Sequence, residues 1–401
     1  MLSRYRGFLL VGLAVLPAIL VRVGQLELGA VVQLVVFGAA VVGASFLLAW
    51  TAEAAQRDIS GGLAIALLAF IAVLPEYAVD LYFAYQAGSD PTYAAYAAAN
   101  MTGSNRLLLG LGWPVVVLLG LMVARRTGNP IRAITLESGT RMELGFLMVA
   151  GLVAFIAPAT AVISLPLAIA LIAWFCFYLV RVSRQEVHEP ELIGTAAIIG
   201  SLPDRRRRIL VPVLFIVAAG IILLCAEPFA ESLVATGEVA GIDEFLLVQW
   251  LAPLASEAPE FIVAILFALR GNATAGLATL ISSKVNQWTL LIGTLPVAYW
   301  VGGGGPGGLP LDDRQVEEML LTATQTLMGV AILLTLRFPR WGAWALLALF
   351  VVQFPLTSTT QRLVLAGIYA VIAIALGIRH WRLLWPTIRA AFADPASPKR
   401  I

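Results

Sequence analysis

Two acidic motifs lie inside apolar runs of this chain, Leu74-Pro75-Glu76 and Ala258-Pro259-Glu260. Each is followed at the same interval by a polar position in another apolar run, Asn100 after Glu76 and Lys284 after Glu260. A carboxylate within a membrane span is costly and marks function by default. Two of them in matching halves imply a duplicated transporter with a cation site at the membrane midplane. Helical spacing puts Asp80 on the face of Glu76 and Glu257 on the face of Glu260. Pro75 and Pro259 each remove a backbone donor and expose a carbonyl one turn earlier. A broken helix beside a carboxylate supplies hard oxygen ligands, which suit Na⁺ or Ca²⁺.

The second cluster of the first half reads Asn100-Met101-Thr102-Gly103-Ser104-Asn105. Asn100, Gly103 and Ser104 share a face, where amide and hydroxyl oxygens can complete a cation shell. The second half reads Ser282-Ser283-Lys284-Val285-Asn286-Gln287-Trp288. Equal spacing from the glutamate sets Lys284 opposite Asn100; aligning Gly293 with Gly110 sets Ser283 there. Either register leaves an ammonium within a turn of the site. Lysine, unlike arginine, can lose its proton when desolvated. The choice is informative because Lys284 and Lys399 are the only lysines. Arg106 is the other basic residue inside a span, and Asp80 is its expected partner. Glu76, Asp80, Glu257 and Glu260 against Arg106 and Lys284 leave two formal negative charges. One divalent cation, or two protons or monovalent cations, would balance them.

The elements that must position these residues are membrane helices. The chain is 60% hydrophobic and 12% charged, about half the charge of a soluble domain. A net charge of +2 argues against a nucleic-acid partner. Cys176 and Cys225 stand alone, without metal or redox spacing, and read as packing residues. His188 and His380 fall in loop or tail sequence. The run 8–23 lacks a cleavage site and reads as a first span.

About twelve spans are expected, at 8–23, 29–50, 61–86, 92–123, 143–158, 160–182, 208–226, 244–268, 273–300, 316–336, 341–355 and 361–378. Segments 124–142, 183–207, 337–341 and the tail from Arg379 are basic, whereas 227–243 and 301–315 are acidic. With both termini cytoplasmic, the basic segments fall inside. Residues 29–182 then form a five-span repeat and 208–355 an inverted copy, joined by the basic linker 183–207. The helix within 1–28 and the helix and tail of 356–401 are additions. The fold class expected is an all-α polytopic membrane protein. Gly302 to Gly308 lacks the Gly-Lys-Ser/Thr ending of a phosphate loop and reads as a flexible external linker.

At these residues the sequence resembles the cation/Ca²⁺ antiporter superfamily, the sodium/calcium exchanger family. The family carries a Gly-Thr-Ser-Leu-Pro-Glu type motif followed by Gly-Asn-x-x-Gly-Ser-Asn, in two inverted repeats. Here the two motif regions are 61–123 and 244–300. The resemblance implies ten core helices, a midplane site and alternating access by sliding of the first helix pair. It makes Glu76 and Glu260 the central acidic, metal-binding ligands, and matches Asn100, Gly103, Ser104 and Asn105 to the second motif. The family's Thr and Ser before Leu-Pro-Glu are Ala72 and Val73 in the first half, and Ser256 and Glu257 in the second. The second Asn-x-x-Gly-Ser-Asn is replaced by Ser283 through Gln287. Hydroxyls at those places help build Na⁺ sites in the family, so their loss weakens the case for multi-Na⁺ coupling. Gln287 is loosely like the proton-coupled Ca²⁺ exchangers.

Two functions stand open at this stage. One is a secondary active antiporter, not an enzyme and without a cofactor, exchanging Ca²⁺ or a monovalent cation for protons or Na⁺. Its cation-binding set would be Glu76, Glu260, Asp80, Glu257, Asn100, Ser104, Ser256 and Ser283, with Lys284 as a tethered cation. The other is a non-transporting exchanger-like membrane protein whose site is filled by Lys284 and Arg106. Intramembrane proteolysis is unsupported, since the acidic motifs lack a Gly-x-Gly-Asp pattern. The expected location is a plasma (inner) membrane, with the lipid bilayer as partner. The sequence leaves the oligomeric state open.

Overall fold

The computed structural model describes residues 6–58, 74–184, 192 and 194–393. The described chain forms two compact units, built from residues 1–83 with 179–259 and from 84–178 with 260–401. Each unit therefore takes one segment from each half of the chain, a division different from the expected repeats 29–182 and 208–355.

The first unit contains α1 (Arg6–Gly24), α2 (Ala30–Ala55), the start of α3 (Leu74–Ala87), the end of α8 (Leu165–Val182), α9 (Gly194–Gly200), α10 (Asp204–Ala240) and α11 (Glu244–Ser256). Helices α1, α9, α10 and α11 all pack on α2. Its core joins Ala44, Leu47 and Leu48 of α2 to Ala218 and Ile222 of α10. The small alanines let the two helices approach closely, the usual basis of packing where lipid is as apolar as the side chains.

Helix α10 corrects one expectation. The acidic segment 227–243 reads as a loop in the sequence, yet the helix continues through it to Ala240 despite Pro212 and Pro228. Gly241, with φ of 64°, supplies the left-handed residue that stops it. At the other end of α10, Arg207 clamps Asp58 through Nε at 2.6 Å and Nη2 at 2.8 Å. Those hydrogen bonds hold the Asp58 carboxyl below the usual carboxylate range.

The second unit contains the end of α3, α4 (Thr92–Leu107), a π-helical turn at Leu108–Gly112, α5 (Trp113–Arg126), α6 (Thr140–Val153), α7 (Ile156–Thr160) and most of α8. It continues with most of α12 (Ala258–Leu269), α13 (Ala273–Asn286), a second π-helical turn at Gln287–Leu291, and α14 (Ile292–Val301). Helices α15 (Asp313–Leu333), α16 (Arg340–Val352), α17 (Thr359–Arg379) and α18 (Trp381–Phe392) complete it. Two short antiparallel ribbons add to the helices. Strand β1 (Ala133–Thr135) pairs with β4 (Arg337–Pro339), and β2 (Val162–Ile163) with β3 (Leu309–Pro310). They satisfy backbone groups at the turns, where helical bonding has ended.

The ribbons mark the two ends of this unit, because α15 begins just after β3 and ends just before β4. Asp312 and Asp313 lie at the β2–β3 end, and Arg132, Arg337 and Arg340 at the β1–β4 end. The glycine-rich segment 302–308 links α14 to β3. It runs directly into β3, and Leu311 N–H donates to Ala161 O at 2.9 Å.

Among the described residues eight helical segments are long and apolar enough to cross a membrane, or nine with the bent pair α11 and α12. Three other expected spans fall outside that count. The first part of 61–86 lies outside the described residues. The span 273–300 is α13, the π turn and α14, and the span 341–355 is the 13-residue α16.

Candidate functional site

In the first unit, Glu76 and Asp80 stand on α3 and are buried. Ser256 is the last residue of α11, and Glu257 sits in the break before α12. The two helices meet at a 56° bend. Pro259 is the second residue of α12, where its missing N–H is no loss because first-turn donors have no intrahelical acceptor. Pro-Glu in the second half is thus a helix start, which puts Glu260 in the first turn, the positive end of the helix dipole. Glu257 is 2% exposed, so a second carboxylate is buried at the break itself. Ala72 and Val73, which replace family hydroxyls, lie outside the described residues.

In the second unit, α12 and α13 lie in backbone contact. A Cβ on Gly276 would stand 2.5 Å from Ala264 O, so glycine is what permits the approach. The consequence is a direct hydrogen bond, Ser283 Oγ donating to Glu260 Oε2 at 2.6 Å. The next residue points elsewhere. Lys284 Nζ donates to Asn105 O at 3.0 Å and to Asn105 Oδ1 at 2.7 Å, and stands 4.7 Å from the Trp288 ring centre. Asn105 Nδ2 in turn donates to Met101 O at 2.8 Å, which fixes the amide with its oxygen toward the lysine. An ammonium on carbonyl oxygens, over an aromatic face, is held as a bound cation would be.

The hydroxyls are more self-contained than expected. Ser104 Oγ donates to Asn100 O at 3.0 Å and Ser256 Oγ to Ala252 O at 3.2 Å, one helical turn back in each case. Each oxygen keeps lone pairs for a ligand. The Asn100 side-chain amide is fully buried, and neither its oxygen nor its nitrogen makes a hydrogen bond among the described residues. A buried amide so placed is costly unless something fills its valences.

Arg106 departs from expectation. Its expected partner Asp80 belongs to the first unit; the structure pairs Arg106 with Glu318 of α15, at 2.5 Å, and with Gln353 Oε1, at 3.1 Å. Both charged side chains are almost wholly buried. The neighbouring Glu317 takes Arg362 of α17 at 2.7 Å. Arg106 is thereby neutralised by a carboxylate absent from the sequence-level charge balance. The signal was present, two adjacent acids at the head of the run 316–336, but at that position they read as the edge of a span. A further chain of polar contacts also escaped sequence reasoning. The Tyr178 hydroxyl lies 2.8 Å from Ser282 Oγ and donates to Glu143 Oε1 at 3.3 Å. The two π-helical turns, a feature frequent at functional sites, have no sequence signature here.

The sequence matches the sodium/calcium exchanger protein family over residues 29–184 and 210–356. A search of curated proteins returned no match. Among solved structures, the crystal structure of the H⁺/Ca²⁺ exchanger CAX is 40% identical, with a TM-score of 0.91, over 97% of this chain and 98% of that one. Native YfkE shares the fold at 15% identity and a TM-score of 0.63, over 91% of this chain and 99% of that one. The sodium-calcium exchanger NCX_Mj, soaked with Na⁺ and Sr²⁺, does so at 17% identity and a TM-score of 0.54, over 82% and 99%. An acid behind Pro in each half, a lysine seated on amide oxygens and a match over both halves agree: this chain is an integral membrane protein of the sodium/calcium exchanger family, a secondary active cation antiporter and not an enzyme.

Proposed function

We propose that this protein exchanges Ca²⁺ for protons. The observation that carries the reading is its 40% identity, over nearly its whole length, to a structure described as an H⁺/Ca²⁺ exchanger. The site chemistry supports it. Glu76 and Glu260 supply carboxylate oxygens to the cation, as hard ligands for a hard ion. Asp80 and Glu257 set the charge and carry protons. Asn100, Ser104, Ser256 and Ser283 add neutral oxygens, and the Asn100 amide, which makes no hydrogen bond among the described residues, supports that role. Lys284 is a tethered cation, occupying carbonyl oxygens when protonated and releasing them on deprotonation. Twelve spans in two inverted repeats, with both termini cytoplasmic and the protein in a plasma membrane, complete the reading. It rests on the basic and acidic segments.

The non-transporting alternative required Lys284 and Arg106 together to fill the site. Arg106 is engaged by Glu318, so that reading keeps only Lys284. Purified protein in acid-loaded vesicles tests the proposal. It should take up Ca²⁺ in Na⁺-free medium, and Glu76→Gln and Glu260→Gln should not. Uptake that instead requires an outward Na⁺ gradient would overturn the choice of proton, and no uptake under either gradient would favour the locked site.

A further inference from the structure

The last helix of the second unit has no part in the proposed site. Helix α18 follows the apolar helix α17 with only His380 between them. Its placement is fixed by polar contacts. Arg362 near the start of α17 pairs with Glu317 near the start of α15, so the two helices run in the same direction. They end together at the basic β1–β4 end. There Arg141 donates from Nη1 to Leu334 O at 3.2 Å and to Thr387 Oγ1 at 3.1 Å. One guanidinium thus ties the start of α6, the end of α15 and the middle of α18 together. The docking is close, since a Cβ on Gly145 of α6 would stand 2.3 Å from Thr387 O.

Docking buries Thr387 and Ala391 and leaves the opposite face bare. Trp381 is 64% exposed and Trp385 68%. Their spacing puts both on one edge of the helix, while Phe392, two turns on, packs against Trp174 and Phe177 of α8. Arg382 and Arg389, also exposed, form the adjoining edge. No acidic residue occurs in α18. An aromatic edge beside a basic edge, on a short helix leaving the end of a membrane span, has the chemistry of the lipid headgroup layer. The indole rings suit the interface and the guanidinium groups suit phosphates.

We propose that α18 lies in the membrane surface and binds anionic phospholipid headgroups, through Arg382 and Arg389, with Trp381 and Trp385 inserted beside them. The occupant follows from charge complementarity. The basic helix sits at the basic end of its unit, where Arg337 and Arg340 are also exposed. Helix α6, to which α18 is tied, packs on α13, the helix of Ser283 and Lys284. Lipid bound at α18 therefore acts on an element one helix away from the proposed cation ligands.

The test uses the full chain in phosphatidylcholine vesicles with and without phosphatidylglycerol, each lipid brominated in turn to quench tryptophan. Subtracting the signal of Trp381→Phe/Trp385→Phe isolates the two exposed indoles. Brominated phosphatidylglycerol should quench them more strongly than brominated phosphatidylcholine at equal amount. High salt should abolish the preference, as should Arg382→Gln/Arg389→Gln, a variant whose melting temperature should match the parent. The enrichment should fall about fivefold for each arginine removed, the attraction of one basic residue to an anionic leaflet. Equal quenching by the two lipids would overturn the headgroup site, and so would a preference that survives the double arginine substitution. No quenching by either lipid would overturn the whole placement and mean that protein, such as a second copy of this chain, covers the face. None of these readouts depends on transport, so failure here leaves the exchange proposal standing.

Discussion

Among the described residues, Arg106 and Lys284 are the two buried basic residues of the second unit, and the structure treats them differently. Arg106 faces a carboxylate, Glu318, and an amide oxygen, Gln353. Lys284 rests on the oxygens of Asn105 and the face of Trp288. A guanidinium stays charged at any working pH, and its planar fork suits a fixed structural pair. A desolvated ammonium can lose its proton, which a guanidinium does not. The comparison teaches that burial alone does not nominate a functional charge. The chemistry of the charged group decides whether it can change state.

The largest expected effect comes from breaking the anchor. Glu318→Ala leaves Arg106 buried without its carboxylate and should cost about 3–5 kcal/mol of stability, read as a lower melting temperature in detergent. The apolar double substitution Arg106→Met/Glu318→Leu should recover most of the loss. A Glu318→Ala protein that melts like the parent would break the comparison. Next in size is Lys284→Met. It strands acceptors on Asn105, at roughly 1–3 kcal/mol, and should flatten the dependence of transport on pH. Lys284→Arg should flatten it too, since arginine does not titrate. An unchanged pH profile in both variants would remove Lys284 from the mechanism. Trp288→Leu removes the ring contact together with the packing of a fully buried side chain. It should destabilise by about 1–3 kcal/mol, measured by the same melt.

The smallest effect concerns Asp58, beyond the end of α2, and its partner Arg207 in the first turn of α10. Asp58 is held below its ordinary pKa by Arg207, so its contribution to stability is present at neutral pH and disappears as pH falls through its folded value. Asp58→Asn should lower the melting temperature at neutral pH and match the parent in acid. A deficit of equal size at both ends would show that the hydrogen-bond geometry, rather than the charge, matters there.

The family and the helical membrane fold were legible in the sequence, and the reasons why residues stood out or escaped notice are physical. Glu76, Glu260 and Lys284 stood out because ionised groups in apolar runs are rare and expensive. Pro259 next to Glu260 carried the helix break, since proline loses nothing at a helix start and costs a hydrogen bond further in, although α10 runs on through Pro212 and Pro228. The Arg106 partner was misjudged because the sequence gives spacing along one helix and not which helix faces it. Glu318 is remote in the chain and sat at the edge of an apolar run. The extension of α10 to Ala240 was missed for a related reason, since polar residues on a helix that outruns its apolar stretch look like loop. The pairing of β2 with β3, just beyond the glycine segment 302–308, left no trace in the sequence because it is a long-range event with two residues on each side. The burial of the Asn100 amide without a hydrogen bond among the described residues is a matter of tertiary neighbours, which spacing along one helix does not specify.

The central claim is that proton movement accompanies cation movement through the Glu76 and Glu260 carboxylates. Vesicles holding purified protein and a trapped pH dye test it directly, with Ca²⁺, Na⁺ or K⁺ added outside in turn. Ca²⁺ should make the lumen more alkaline as protons leave against it, and Glu76→Gln and Glu260→Gln should abolish the response. Ca²⁺ entry without any change of lumen pH, dependent on Na⁺ inside, would contradict the account.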